Sequence, residues 1–175
     1  MDGDHNRQNI AAAYAACVAN DIDVKIFAEG LATFSGLEHR QEFVKSINGV
    51  QYINDSKATN SDSVEQALKR FSNIIWILGG RPKEDGIESL CPYFSKVKFA
   101  FLIGEAAEKW RGFLDENHVA NEVVFTLENA VKKSYKIAHE KDVVLLSPAC
   151  ASFDQFKSFE DRGDQFKKFV KELSC

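Results

Sequence analysis

The residues best suited to bind a ligand lie in a dense polar run from Asn54 to Asn60, just ahead of a predicted helix. Asp55, Lys57 and Thr59 stand at alternate positions and offer an acceptor, a cation and a hydroxyl donor. At a helix N-terminus, where the dipole attracts negative charge, such a set predicts an anion site. A helix cap alone would use the same residue types, but it needs only one of them.

A glycine pair and two cations follow the predicted strand that ends at Leu78. Gly79 and Gly80 would let backbone N–H groups approach a ligand, and Lys83 could neutralise a carboxylate. A plain surface turn with solvated charges uses the same residues, so both interpretations stay open.

A run of small residues, 147–152, follows the predicted strand that ends at Leu146. Small side chains allow a ligand to approach the backbone closely. The aromatic residues that come next, Phe153, Phe156 and Phe159, would either wall a pocket or pack in the core.

Two polar segments lie earlier in the chain. Arg40 would pair with a phosphate or remain a solvated surface charge. Asn6 and Asn9 would cap the first helix or bind the edge of a base through their amides.

Apolar periodicity predicts the elements that must position these loops. Two helices come first, at residues 6–20 and 24–34, and an Asn-Gly between the alternating segments 43–47 and 50–53 is a strong hairpin signal. Four strands, apolar on both faces, then alternate with helices. The strands are predicted at 74–78, 99–103, 123–125 and 143–146, and the helices at 63–71, 106–116, 127–139 and 160–173.

This order predicts a Rossmann-like, doubly wound α/β fold. Its sheet is expected to be mostly parallel, with an antiparallel hairpin at its start, and to be preceded by two helices. Ligands bind such sheets at the carboxyl ends of the strands, which is where the loops described above begin.

The composition excludes several classes of function. With 26 acidic and 22 basic residues spread along the chain, no basic stripe offers itself to nucleic acid. The apolar stretches are too short to span a bilayer, so we expect a cytoplasmic protein with no membrane partner. The four cysteines have neither metal-ligand nor redox spacing, and Cys150 is better explained as a small buried thiol than as a nucleophile.

Five segments taken together resemble the Mur ligase family. They are, in chain order, HNRQN (5–9), GLEHR (36–40), NDSKATN (54–60), SPACASFDQF (147–156) and KSFEDRGDQF (157–166). The resemblance covers essentially the whole chain and is greatest to the branch that adds D-glutamate to UDP-N-acetylmuramoyl-L-alanine in peptidoglycan synthesis. It implies that ATP, with Mg²⁺, phosphorylates a substrate carboxylate. The amine of D-glutamate then attacks this acyl phosphate, giving a tetrahedral intermediate and then an amide.

The resemblance also implies roles for matching positions. The carboxylates of D-glutamate would be held by Lys57, Thr59, Lys83, Ser152 and Phe159, the last two partly through backbone N–H groups, and Lys57 would be the catalytic residue. Arg40 and Asp55 would contact the phosphate and the ribose of ATP, and Asn6 and Asn9 would lie on its adenine side. No metal ligand is assigned within the chain.

A division into two parts follows from the same resemblance. Residues 1–34 would be the helical tail of a central ATPase domain, and residues 35–175 the amino-acid-binding domain. The resemblance also implies that the phosphate loop and the Mg²⁺ ligands lie upstream of Met1. The chain itself has no GxxxxGK[ST] motif, so we expect the isolated chain to be inactive.

Two alternatives remain open. One is another Mur ligase, or a domain like that of folylpolyglutamate synthase. The other is a non-catalytic module that binds an acidic metabolite or a nucleotide.

Overall fold

The computed structural model describes residues 4–34, 36–83 and 86–173, with side chains from residue 7 onward. The chain divides into two units, the first ending at Leu37 and the second beginning at Glu38. No described helix combines the length and the apolar content needed to cross a membrane.

The first unit consists of two helices, α1 (Asp4–Ala19) and α2 (Val24–Thr33). The alanine-rich sequence of α1 has high helix propensity. Asp23 begins α2, because its carboxylate accepts a hydrogen bond from the Lys25 N–H at 2.7 Å. The rings of Tyr14 and Phe27 pack edge to face at 5.4 Å and join the two helices. Both predicted helices are confirmed.

The second unit is an α/β domain built on a six-stranded sheet. Its elements are β1 (Glu42–Ile47), β2 (Val50–Asn54), α3 (Ser61–Arg70), β3 (Ile74–Gly79), a 3₁₀ helix (Glu88–Lys96), β4 (Val97–Ile103), α4 (Ala107–Glu116), β5 (Asn121–Phe125), α5 (Leu127–Ile137), β6 (Val143–Leu146) and α6 (Phe159–Glu172). The strand order is β1-β2-β6-β3-β4-β5, and only β1 and β2 pair antiparallel. The doubly wound fold and its hairpin are confirmed.

Alternate side chains of each central strand enter two different apolar layers. In β3, Ile74, Trp76 and Leu78 join the core on the side of α3, the 3₁₀ helix and α4. Ile75 and Ile77 join the core on the side of α5 and α6. The sheet is therefore covered by helices on both faces, as its continuous apolar strands require.

Two features differ from the sequence-based expectation. The prediction that β5 is buried on both faces is wrong, because it is an edge strand in which Val124 is buried and Phe125 is 60% exposed. The 3₁₀ helix was not predicted, since Pro92 interrupts its periodicity. Leu90 and Phe94 nevertheless bury one side of it.

Gly79 provides a test of the close approach between β3 and β4. Its φ is +118°, and a Cβ there would lie 2.0 Å from the carbonyl oxygen of Ile103. Gly79→Ala should therefore lower the free energy of unfolding by about 3 kcal/mol or more, measured by urea denaturation.

The matched control is Gly112→Ala, in exposed α4, where a Cβ would meet no atom within 4 Å. This change should raise the free energy of unfolding by about 0.5–1 kcal/mol. Equal stabilities of the two variants would contradict the close approach at Gly79.

Candidate functional site

Four loops meet at the carboxyl edge of the sheet. Because β2, β6, β3 and β4 are parallel neighbours, the loops that follow Asn54, Leu146, Gly79 and Ile103 all begin at this edge. β6 lies between β2 and β3 in the sheet. The 3₁₀ helix that follows β3 and the helix α6 that follows β6 pack on opposite faces, so the chain leaves these neighbouring strands in two directions. Ligands bind doubly wound sheets at such a switch point.

Backbone hydrogen bonds connect three of these loops. The Ala149 N–H donates to the Ala58 carbonyl at 2.9 Å, which joins the loops after β6 and β2. Arg81 and Ala151 exchange a pair of N–H···O bonds at 2.9 and 3.1 Å, which joins the loops after β3 and β6. The loops therefore hold one another in place.

Arg162 of α6 connects the loops after β2 and β6 through hydrogen bonds. It is fully buried, its Nε donates to Ser56 Oγ at 2.9 Å, and its Nη2 donates to the carbonyls of Ser56 at 2.8 Å and Cys150 at 3.1 Å. Burial lowers its pKa to about 10, so the guanidinium is still charged at neutral pH. One side chain thereby fixes α6, the loop after β2 and the loop after β6.

Sequence reasoning did not single out Arg162 as a residue of the site. The signal was available, since Arg162, Phe166 and Val170 are four residues apart and place an arginine in the apolar stripe of α6. A glycine inside the predicted helix, Gly163, is the second part of this sequence signal. A Cβ at this position would lie 2.2 Å from Nδ1 of His39, so only glycine leaves room for that buried ring.

The structure places three of the predicted ligand-binding residues, Lys57, Thr59 and Lys83, in the loops that begin at this edge. Lys57 is half-buried, and its ammonium lies 4.1 Å from the ring centroid of Phe159. Lys83 is exposed, and its ammonium lies 3.5 Å from Thr59 Oγ1. One cation therefore lies beside an aromatic ring, and a second cation lies beside a hydroxyl.

Ser152 and Phe159 bring donor groups to the same edge. The Ser152 side chain is buried, and among the described residues its Oγ has no hydrogen-bond partner. Phe159 is the first residue of α6, whose N-cap is Ser158, so its N–H has no acceptor within the helix. The helix dipole adds partial positive charge at this point.

The three aromatic residues of this segment have different environments. Phe156 packs partly buried against the core on the side of α5 and α6. Phe153 is 63% exposed. Phe159 is half-buried beside Lys57 and forms a wall of the candidate site.

Asp55 lies inward at the end of β2. Its Oδ1 accepts the Gln41 N–H at 3.1 Å, and its Oδ2 accepts the Ser147 hydroxyl at 2.7 Å. Burial raises the pKa of this carboxyl to about 7, although both hydrogen bonds and the nearby Arg40 act in the opposite direction. Arg40 itself is exposed.

The two asparagines predicted on the adenine side belong to the first unit. Asn9 is exposed on α1. Asn6 falls within the range of α1, and its side chain lies outside the described residues.

Cys150 is fully buried, and burial raises the pKa of its thiol to about 12. Little thiolate is then present at neutral pH, so this residue is unsuited to act as a nucleophile. Within the described ranges, no group of three or more His, Cys, Asp or Glu side chains is arranged to hold a metal ion.

Two lysines and a helix N-terminus therefore provide positive charge at one edge of the sheet, with Thr59 and Ser152 as hydroxyl donors. This chemistry suits a small anionic ligand with more than one acidic group.

Comparison with known families gives a match over residues 39–150 to the Mur ligase, glutamate ligase domain. The matched residues include the loop after β2, and they end at Cys150 in the loop after β6.

Three curated proteins that are similar to this chain share one name. UDP-N-acetylmuramoylalanine–D-glutamate ligase of Rhodospirillum rubrum is 51% identical over 178 residues, which is 99% of this chain and 37% of that protein. The ligases of the same name from Paramagnetospirillum magneticum and Rhizobium meliloti are 49% and 48% identical and cover 97% and 99% of this chain. The chain thus spans 37–38% of the length of these curated relatives.

Solved structures share the fold at low sequence identity. The UDP-N-acetylmuramate–alanine ligase MurC of Thermotoga maritima matches 98% of this chain and 39% of its own, with a TM-score of 0.71 and 15% identity. The MurF ligase of the same organism, in complex with ADP, matches 95% of this chain and 38% of its own, with a TM-score of 0.64 and 17% identity. Escherichia coli FolC in complex with DHPP and ADP matches 95% and 39%, with a TM-score of 0.67 and 18% identity.

The family match covers more than half of the chain and includes all six strands of the sheet and the loops after β2, β3 and β4. This chain therefore belongs to the Mur ligase family, within its glutamate ligase domain.

Proposed function

We propose that this chain is the amino-acid-binding part of a cytoplasmic, ATP-dependent ligase that adds D-glutamate to UDP-N-acetylmuramoyl-L-alanine in peptidoglycan synthesis. One observation carries the proposal: the Lys57 ammonium lies 4.1 Å from the ring centroid of Phe159, the residue that opens α6. A cation and a helix N-terminus thus occur side by side. The shared name of relatives that are 48–51% identical supports D-glutamate as the amino acid.

The reaction needs an amino acid held by its carboxylates with its amine free. ATP supplies the phosphoryl group that converts the carboxylate of the muramoyl substrate into an acyl phosphate. Attack by the D-glutamate amine forms the C–N bond, and phosphate leaves from the tetrahedral intermediate with the pair of electrons of the broken C–O bond. Fixing the carboxylates orients the amine, which is the contribution of this chain to the rate.

We assign the carboxylates of D-glutamate to the residues grouped at the edge of the sheet. Lys57 and Lys83 provide charge, and Thr59 provides a hydroxyl beside Lys83. The unpartnered Ser152 hydroxyl and the first N–H of α6, that of Phe159, would complete the set. A dianion needs several charge-assisted hydrogen bonds to be taken out of water, and this set offers them.

On the nucleotide side we assign Arg40 to a phosphate and Asp55 to the ribose, with Asn6 and Asn9 near the adenine. The exposed guanidinium of Arg40 fits a phosphate that approaches from solvent. Asp55 is 5% exposed and already accepts two hydrogen bonds, so a ribose hydroxyl would have to use a remaining lone pair. Mg²⁺ would be held mainly by the central ATPase domain, for which we expect a separate set of carboxylates.

Residues 1–34 are proposed to be the helical tail of that central domain. Two apolar side chains of α2 support this, since Val24 is 55% and Ile26 is 63% exposed and would be covered by further protein. On this proposal the second unit, separated from the ATPase part, binds D-glutamate without turning over ATP.

The first test is an NMR titration of the ¹⁵N-labelled chain with D-glutamate and, separately, with L-glutamate. Saturable shifts are expected at the amides of Thr59, Ser152 and Phe159, and only with the D form, because the carboxylates must be placed with one handedness. Equal shifts with both enantiomers, or shifts elsewhere in the sheet, would contradict the assigned site.

The second test is Lys57→Ala in the full-length ligase. Loss of the ammonium should lower kcat/KM for D-glutamate at least about a hundredfold, or about 3 kcal/mol of transition-state stabilisation. The melting temperature should change little, since Lys57 is half-buried and packs against one ring. Lys109→Ala, which removes an exposed lysine of α4, is the matched control. A large fall in melting temperature with Lys57→Ala would indicate a structural role instead.

The third test concerns the buried Asp55 carboxyl, whose pKa in the folded protein, about 7, is above the ordinary aspartate value of 3.8 because of burial. The folded state therefore binds this proton more tightly than the unfolded chain does. The stability associated with it is fully present below about pH 4 and is lost as the pH rises through about 7.

Asp55→Asn removes this titration. Its free energy of unfolding, relative to that of the unchanged chain, should rise by a few kcal/mol between pH 4.5 and pH 8 in urea denaturation. Asp62→Asn, at an exposed carboxylate, is the control. A difference for Asp55→Asn that is constant across this range would show that the carboxyl is not held at a raised pKa.

A further inference from the structure

The geometry of the contact between Lys57 and Phe159 indicates an electrostatic role in addition to packing. The Lys57 ammonium lies over the face of the ring, 4.1 Å from its centroid, which is well within cation–π range. No carboxylate among the described residues lies within ion-pair distance of this ammonium. The aromatic face is therefore the nearest described electrostatic partner of the ammonium, and the exposed Glu160 carboxylate acts on Lys57 only from farther away.

An aromatic face and a carboxylate have different effects on a cation. A carboxylate would fix the ammonium but neutralise it, and an arriving anion would then have to displace the carboxylate. The ring attracts the ammonium through its quadrupole and carries no net charge, so the positive charge remains available on the open side. The contact therefore restrains the flexible Lys57 side chain and leaves its positive charge available to a ligand.

The ring of Phe159 is itself held on two sides. Its backbone carbonyl accepts the Ser56 hydroxyl at 2.8 Å, one residue before Lys57. The ring of His39 packs against it edge to face, with centroids 6.0 Å apart and planes at 82°. The carbonyl of His39 also accepts the Lys57 N–H at 3.0 Å, so both partners of the cation–π contact are tied to His39.

His39 is fixed in turn by the framework of the domain. It is 4% exposed, and its Nδ1 lies 3.0 Å from Asn54 Nδ2 at the end of β2. Its backbone N–H donates to Glu42 Oε2 at 2.9 Å. The absence of a side chain at Gly163 leaves the space that the imidazole occupies.

We propose that the ring of Phe159, braced by His39, is a positioning element that holds the Lys57 ammonium ready for an anionic ligand. This inference rests on the proposed function for the identity of the ligand, D-glutamate. It assigns the Phe159 side chain a role separate from that of its backbone N–H.

NMR of the 175-residue chain labelled with ¹³C-lysine tests the contact without ligand. Ring currents should move the Lys57 ε-methylene protons upfield, and restraint should make the two protons inequivalent. Phe159→Leu should return them to the position of solvated lysines, whereas Phe159→Tyr, which keeps the ring, should preserve the shift. Phe153→Leu makes the same substitution at an exposed ring six residues away and should leave Lys57 unchanged. Amide spectra of each variant report whether the fold is retained.

Titration with D-glutamate then measures the effect on binding. Phe159→Leu should weaken binding about tenfold, Phe159→Tyr should restore it, and Phe153→Leu should leave it unchanged. Unshifted, equivalent ε-methylene protons in the unchanged chain would overturn the proposal, as would full affinity in Phe159→Leu after the shift is lost. Absence of D-glutamate binding to the unchanged chain would count against the proposed function alone, because the Lys57 resonances report the ring contact in the absence of any ligand.

Discussion

The buried guanidinium of Arg162 is the interaction on which the arrangement of the site depends. Removing a cation from water costs several kcal/mol unless its hydrogen bonds are replaced. Here Ser56 and Cys150 accept from Nε and Nη2, whereas Nη1 has no hydrogen-bond partner among the described residues. Those two residues belong to the loops that follow β2 and β6, the two strands that bring Lys57 and Ser152 to one edge. The same Ser56 hydroxyl that accepts from Arg162 donates to the Phe159 carbonyl. The start of α6 is thereby placed against both loops.

Charge in this region is distributed in a consistent way. Among the residues that the structure describes, the buried Arg162 guanidinium has no carboxylate at ion-pair distance, and the Lys57 ammonium lies against an aromatic ring. Burial raises the pKa of the Asp55 carboxyl to about 7, which favours its neutral form and so reduces the negative charge close to the site. Each of these arrangements favours an anion at the edge where we propose that the ligand binds. A protein selected for stability alone would have little reason to bury both a cation and a carboxyl at the same edge.

Backbone geometry contributes as much as charge. Gly79 allows β3 to approach the end of β4, and Gly163 allows His39 to lie under α6. Both glycines are needed because their missing side chains would occupy space already filled by neighbouring atoms. The loops that carry the candidate ligands therefore rest on close contacts in which few other residues would fit.

The amino-acid sequence alone was enough to predict the class of fold and the candidate ligand-binding residues. Apolar periodicity and the Asn48-Gly49 turn predicted the six strands and the order of the α-helices. The buried central strands leave continuous apolar runs in the sequence, and the hairpin strands alternate on either side of the turn. The polar run at 54–60 and the small-residue loop at 147–152 were predicted to face a ligand from their residue types and from their position after predicted strands. Local composition does not reveal which residues come into contact when they are more than a hundred positions apart in the sequence. Arg162 contacting Ser56 and Phe159 facing Lys57 were decided only by the tertiary structure, since strand order and helix packing bring them together. The inward turn of Asp55 was decided in the same way, because burial and the partners Gln41 and Ser147 are properties of the assembled sheet edge and not of the residues around Asp55 in sequence.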